Sequence, residues 1–323
     1  MLNYVIRRLL GIIPLLLGIT IISFAVIHLA PGTPTTQQEL MSPRISHETR
    51  ARLEKLYDLD KPLHIRYINW LRRIIRLDLG NSLDGRPVVE KIVERIPVTF
   101  TINVLALGLI LIVSIPLGIK AASKPGSFFD KSTTVGVFIG FALPTFWIAL
   151  LLMQIFSLKL GWFPISGIKS LDFEYFSWPK KILDLAHHII LPVFVISIGS
   201  LAGFSRYVRQ NMLGALSQPF IITAKAKGLS ERKILYRHAF PNAILPLITI
   251  LGLSIPGLLG GSVIFESIFA LPGLGELFYK AVMMRDYNLI MASVVLGAVL
   301  TMLGNLAADI AYAYVDPRIR YKK

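Results

Sequence analysis

Residues 205–242 carry the most unusual chemistry in the chain. Arg206, Arg209, Lys225, Lys227, Arg232, Lys233 and Arg237 stand against a single acid, Glu231, yet apolar residues recur among them at helical intervals. Thr223-Ala224-Lys225-Ala226-Lys227 is a strong helix former that ends at Gly228, the residue best suited to a left-handed C-terminal cap. After Leu229, Ser230 can cap a second piece from Glu231 to Phe240, which Pro241-Asn242 should stop. Two short helices meeting at a glycine make a compact cationic knuckle. Its small alanine face could enter a groove, and its rim could meet acidic residues around that groove. On pattern alone, an inert basic loop that serves only to orient the chain is the alternative.

Other chemistry is sparse. No G-x-x-x-x-G-K-[ST] is present to cradle ATP, and neither H-E-x-x-H nor G-x-S-x-G occurs. His187 and His188 are adjacent, which on a helix points their rings in different directions and suits an interfacial pair better than a metal site. Inside the apolar runs the ionisable residues are His28 and Asp309, each near the end of a run, so no ladder of buried acids marks an ion path. Asp309 reads as a helix-pairing carboxylate. If the chain moves a solute, the energy enters from outside it. An interfacial membrane enzyme would need a catalytic pair, and Asp172 with Glu174 is the available acidic material. An ATP-independent channel is the other rival.

The elements that must position these residues are apolar. The chain has 323 residues, 54% hydrophobic and 16% charged, with a formal net charge of +15 and no Cys. A soluble domain carries about 25% charged residues, so this composition points to an all-α integral membrane protein and excludes disulfides and thiolate metal sites. Six segments reach the roughly 20 apolar residues that a span requires, near 9–29, 98–119, 132–158, 188–204, 243–265 and 288–312. The first run is longer than a signal-peptide core and lacks a good cleavage site, so it reads as an uncleaved helix. With both termini in the cytoplasm, most of the Lys and Arg excess falls on the cytoplasmic side. That distribution accounts for the basic charge without nucleic acid.

Residues 1–97 then form an N-terminal helix and an extracytoplasmic segment, and 98–323 a five-helix core. Ser46 can cap a helix beginning at His47-Glu48. Leu63, Tyr67, Trp70, Leu71, Ile74 and Ile75 recur at helical spacing, with Arg66, Arg72, Arg73 and Arg76 on other faces. Such a helix suits the membrane interface, and packing on the ends of the bundle is the favoured reading. Asn103, Gln154 and Asn305 are the polar candidates for lining a pathway. Many Pro and Gly residues suit a bundle that changes shape.

The knuckle resembles the cytoplasmic coupling motif of ABC importer permeases, E-A-A-x-x-x-G-x(9)-I-x-L-P. Ala224 takes the second Ala, Gly228 the Gly, Phe240 the Leu and Pro241 the Pro, while Ile222, Thr223 and His238 depart from the pattern. T-A-K-A-K-G-L-S-E-R-K followed by R-H-A-F-P-N-A is similar to the form in the dipeptide/oligopeptide/nickel branch. So are Pro31-Gly32-Thr33-Pro34, Asp78-Leu79-Gly80-Asn81-Ser82, Glu266 to Gly275 with Arg285-Asp286-Tyr287, and Asp316-Pro317-Arg318-Ile319-Arg320. Thr33 and Pro219-Phe220 depart from that branch.

The resemblance implies a six-helix type I importer permease in a prokaryotic cell membrane, working in contact with membrane lipid. A second, similar permease, two ABC ATPase subunits that bind ATP and Mg, and an extracytoplasmic solute-binding protein are the implied partners. It places Thr223 to Glu231, Phe240 and Pro241 at the ATPase contact, and Glu266, Pro272, Gly273 and Gly275 at an outer turn or gate. A plain connecting turn is the other reading of Pro272 to Gly275. Short peptides are the implied solute, with nickel chelates or sugars as alternatives.

Overall fold

The computed structural model describes residues 2–33, 54–55 and 57–315. The Ser46-His47-Glu48 helix start, Pro34 and the Asp316 to Arg320 motif lie outside the described residues. Among those described there is no strand, only an isolated antiparallel bridge between Asn81 and Pro87.

The chain opens with α1 (Leu2–Leu29), then α2 (Leu63–Ile75) and α3 (Val88–Ser123). Next come α4 (Phe128–Ala142) and α5 (Thr145–Lys159), whose second half is wound as a π-helix. The longest helix, α6 (Trp178–Leu216), has 39 residues and is followed by α7 (Pro219–Ala226) and α8 (Glu231–Ala243). Then come α9 (Leu245–Ser254), α10 (Val263–Ile268), α11 (Leu274–Met284) and α12 (Tyr287–Val315).

Among the described residues four helices, namely α1, α3, α6 and α12, are long and apolar enough to cross a membrane, and counting the bent pairs α4–α5 and α8–α9 as one span each gives up to six. Two of the expected spans are therefore not straight. The predicted 132–158 helix breaks at Leu143-Pro144 with a bend of 98°. Pro144 has no N–H to give and forces Leu143 into extended backbone, φ −94° and ψ 132°. The predicted 243–265 helix is replaced by α9, a 3-10 turn at Pro256–Leu258 and the separate α10. Position 97, the expected end of the N-terminal unit, lies inside α3.

The most extensive packing joins α3 and α6. Their backbones touch at Gly118, where a Cβ would sit 2.8 Å from the Ser205 carbonyl oxygen and 2.6 Å from Val208 Cβ. One buried cluster fills the end of this pair nearer α7, with Ile119, Met212, Ile221 and Leu247; another fills the opposite half, with Ile102, Val195, Phe269 and Leu271. α1 packs along α12, where Arg8 and Asp309 pair at 2.8 Å. Asp309 thus does join helices. α2 lays Trp70 against Phe24 of α1 and Met291 of α12, with Leu63, Tyr67, Leu71 and Ile74 around them. It packs on the bundle, as favoured from sequence, although Ile75 stays exposed.

Candidate functional site

The knuckle is built around its glycine. α7 ends at Ala226, and Gly228 takes φ +72°. Its N–H donates to the Lys225 carbonyl (2.9 Å) and the Leu229 N–H to the Ala224 carbonyl (3.3 Å). Those two bonds form a Schellman closure, which satisfies carbonyls that a helix end leaves bare. Leu229 completes it by packing on the cluster that contains Ala224.

The two faces of α7 have different jobs. Ile221 and Ala224 are 1% and 5% exposed and belong to the chain's own core beside Ile119, Val208 and Met212. Ala224 therefore cannot line a groove-entering face, which corrects the expected alanine face. The helical spacing that seats Ile221 and Ala224 inward turns Ile222, Thr223 and Ala226 outward, with Lys225 and Lys227 beside them. Ile222 is 68% exposed.

The second half of the knuckle also differs from expectation. Ser230 and Glu231 start α8, but the Ser230 side chain makes no capping bond. Pro241 does not stop the helix. Ile234–Ala239 is wound as a π-helix immediately before it, and the wider turn accommodates a ring that would otherwise strike the carbonyl four residues back. The chain continues to Ala243 and bends by 45° into α9. Phe240 packs against the core cluster, while Pro241 is exposed.

A half-buried ion pair ties this end together. Arg209 of α6 donates from Nε and Nη2 to the two oxygens of Asp130 on α4, at 2.5 and 2.7 Å. Gly126 N–H adds a third donor to Asp130 at 2.9 Å.

At the opposite end, Glu266, Gly273 and Gly275 meet in one buried clasp. The Glu266 carboxylate accepts from Thr99 Oγ1 (3.0 Å), Ser262 N–H (3.3 Å), Gly275 N–H (2.7 Å) and Glu276 N–H (3.0 Å). Thr99 Oγ1 in turn accepts from Leu274 N–H at 2.8 Å. A carboxylate and a hydroxyl from outside α11 thus satisfy the free N–H groups at its start. Pro272 leads into the clasp and is half-buried. Pro272 to Gly275 is thus a turn held from both sides. Thr99 had no signal of its own in the sequence.

A second knot joins three segments that sequence could only read separately. Asp286 accepts from Leu83 N–H (3.0 Å), Tyr57 OH (3.2 Å) and Leu289 N–H (3.1 Å), and Ser82 Oγ also donates to it. Asn288 Nδ2 donates to the Asn81 carbonyl at 2.9 Å, and Arg285 and Tyr287 reach the Gly32 carbonyl, each at 3.4 Å. Burial, with the Asp286 charge beside it, pushes the Tyr57 phenol above its ordinary value.

The three pathway candidates are not joined by hydrogen bonds. Asn103 donates to the carbonyls of Gly257, Leu258 and Gly260 at 3.1–3.2 Å, closing groups freed by the helix break there. Gln154 and Asn305 are exposed. His187 Nε2 bonds the Trp162 carbonyl and His188 Nδ1 the Asp184 carbonyl, so the pair serves two different contacts. Glu174 is exposed, and its hydrogen bond from Lys169 holds it below the usual carboxylate range.

Fold and site together define a multi-pass helical membrane protein with a capped helix exposed at one end and braced from within. Residues 114–321 match the family described as binding-protein-dependent transport system inner membrane component, and residues 1–103 match its N-terminal companion. The oligopeptide transport system permease protein AppB of Bacillus subtilis (strain 168) is 46% identical over 320 residues, covering 98% of this chain and 99% of that protein. The dipeptide transport system permease protein DppB of Escherichia coli (strain K12) is 35% identical over 342 aligned positions, covering 100% of both. A chain of the MetNI methionine ABC transporter, solved in inward facing conformations, shares the fold at 16% identity with a TM-score of 0.54, over 71% of this chain and 97% of that one. The chain belongs to the binding-protein-dependent transport permeases of ABC importers.

Proposed function

We propose that this chain is one of two similar permeases lining the pathway of an ATP-driven importer of short peptides. Separate ATPase subunits bind ATP and Mg, and an extracytoplasmic binding protein delivers the solute. Both termini and α7 lie in the cytoplasm. The relatives named for oligopeptide and dipeptide transport support the solute class.

The observation that carries the coupling is the two-faced α7. Ile222, Thr223 and Ala226 are free to enter a groove, while Ile221 and Ala224 are locked into α3 and α6. A push on the outer face therefore moves the core instead of deforming a loop. For ATP to drive the change, it must favour one state of the bundle over the other by differential binding.

The test is uptake of a labelled dipeptide and of a longer peptide by cells carrying Ile222→Glu or Ala226→Trp in place of the native residue. Loss of uptake and of co-purifying ATPase, with the chain still in the membrane, supports the reading. Full uptake in both variants overturns the docking face. Unchanged uptake of either peptide when the gene is deleted overturns the solute.

A further inference from the structure

Arg206 and Arg209 lie one turn apart on α6, and only one of them has an acidic partner. Arg209 holds Asp130 of α4 through Nε and Nη2. Among the described residues no acid lies within ion-pair distance of Arg206. Its guanidinium carbon instead sits 5.4 Å from the centre of the Phe138 ring on α4.

Both arginines and Gln210 line a cavity of about 190 Å³ between α3, α4 and α6, whose other walls include Leu117, Thr134 and Val137. One water needs roughly 10–15 Å³ by the same measure, so the cavity takes a group of several heavy atoms. Thr133 and Thr134 give their hydroxyl hydrogens to the Phe129 and Asp130 carbonyls, which leaves α6 to supply the free donors. Arg206 keeps its whole fork, Arg209 keeps the terminal nitrogen that Asp130 does not use, and Gln210 keeps its exposed amide. Such a set suits the oxygens of a phosphate, which a guanidinium binds through paired N–H groups. With Asp130 offset by Arg209, the charge of Arg206 is left to meet the single negative charge of a phosphodiester.

The surroundings select what carries the phosphate. The charge-free run of α6 ends at Ser205 and that of α4 begins at Ser132, so the cavity sits where both helices pass from apolar to charged sequence. Val135 and Phe138, beside Thr134 and Val137 on α4, are 56% and 58% exposed. An arginine at such a boundary lays its stem along apolar surface and keeps its head at headgroup level. A phosphate on a hydrocarbon stem satisfies both halves of the site, whereas a free phosphate satisfies only the cations. Basic pockets between membrane helices are a recurring form of lipid headgroup site.

We propose that this cavity seats the phosphate of an anionic membrane lipid, held by Arg206 and Gln210 with Arg209 as the third donor, and that the acyl chains lie over Val135 and Phe138. The lipid joins α4 to α6 beside the Asp130–Arg209 pair and braces the end of α6 that leads into the knuckle. Its binding is independent of the transported solute, and the proposed topology adds only that the leaflet is the cytoplasmic one.

The experiment uses the detergent-purified transporter containing this chain, titrated with phosphatidylglycerol or with phosphatidylcholine of the same acyl chains. Phosphatidylglycerol should raise the thermal midpoint, and phosphatidylcholine, whose phosphate already faces its own cation, should not. Arg206→Met should raise the half-saturating fraction of phosphatidylglycerol at least about fivefold, and Arg206→Lys should fall between it and the native protein because an ammonium lacks the fork. Arg7→Met removes the same charge from an exposed position on α1 and should leave the titration unchanged, which separates the site from general attraction to anionic lipid. Should Arg206→Met fail to assemble, a photoreactive phosphatidylglycerol decides in the native complex. Its crosslinks should map to residues 132–138 and 203–210, and unlabelled phosphatidylglycerol should suppress them while excess inorganic phosphate does not. Suppression by inorganic phosphate would assign the cavity to a soluble anion. Equal response to both lipids, native titration of Arg206→Met, or crosslinks only elsewhere would leave it to water or to the second permease. Each of these outcomes overturns the proposal.

Discussion

Gly228 and Asp286 are single residues whose replacement should have opposite signatures. A Cβ at Gly228 would meet nothing within 4 Å, so alanine there is opposed by the left-handed backbone alone. That strain is about 1–2 kcal/mol for an L-residue, and asparagine, which tolerates the region, should be milder. We expect Gly228→Ala to reach the membrane in normal amount while lowering uptake and transport-linked ATP hydrolysis, with Gly228→Asn between it and the native protein. Normal uptake in Gly228→Ala would show that the closure is not needed for coupling. Asp286→Asn, in contrast, presents an amide to four donors. It should destabilise by about 2–4 kcal/mol, read as a lowered thermal midpoint of the purified complex. Gly228 was legible in the sequence because a Schellman closure is local: helix formers, a glycine and a following apolar residue are all adjacent. Asp286 was not, because Tyr57, Ser82 and Leu83 come to it from distant positions, and neither side of those bonds has a periodic signature.

Among the elements, Pro144 and Pro241 show how one residue type gives two outcomes. Pro144 breaks a span by 98°, whereas Pro241 sits within α8 behind a π-wound turn. Hydropathy registers both stretches as apolar and cannot tell a bent pair from a straight helix, so the spans were legible in approximate place but not in shape, and the described residues give four, or up to six with the bent pairs. Helix ends were also underestimated. α6 extends well beyond the predicted 188–204 because its polar flanks remain helical after the apolar run ends. The break after α9 supplies the next prediction. Asn103→Leu would strip the donor from three carbonyls at Gly257, Leu258 and Gly260. Gly257 would keep the Gly260 N–H at 3.1 Å, so the loss centres on the part-buried Leu258 carbonyl, at about 1–3 kcal/mol for such a group left without a partner. Asn103→Leu should lower the thermal midpoint, and Asn103→Asp should not restore it, since a carboxylate would face the same oxygens. A midpoint equal to the native one would mean that water already shares the role of the amide.

For the whole molecule, the proposed orientation rests on the basic residues, and the chain's lack of cysteine makes it easy to check. Lys227→Cys on the knuckle and Leu171→Cys beyond the far end of α6 each create a unique thiol. In intact cells, a membrane-impermeant maleimide should label Leu171→Cys and spare Lys227→Cys, and inverted vesicles should reverse the pattern. The same labelling of both from one side would refute the proposed topology. The composition made the membrane class plain and the motifs made the family plain. What they left out was assembly: that Glu266, Gly273 and Gly275 close on Thr99, and that α7 turns one of its two motif alanines inward.

The length of α6 has one more implication. Its 39 residues form one helix with Pro192 inside it, about 58 Å at 1.5 Å per residue, nearly twice the roughly 30 Å of a bilayer's hydrocarbon. Near its start Asp184 holds Ser170, and just past its end the chain enters α7. Pro192 has no N–H to give the carbonyl four residues back, which leaves one soft point along this beam. A tilt of the knuckle end can be taken up there instead of being carried whole to the end where Ser170 and Asp184 meet.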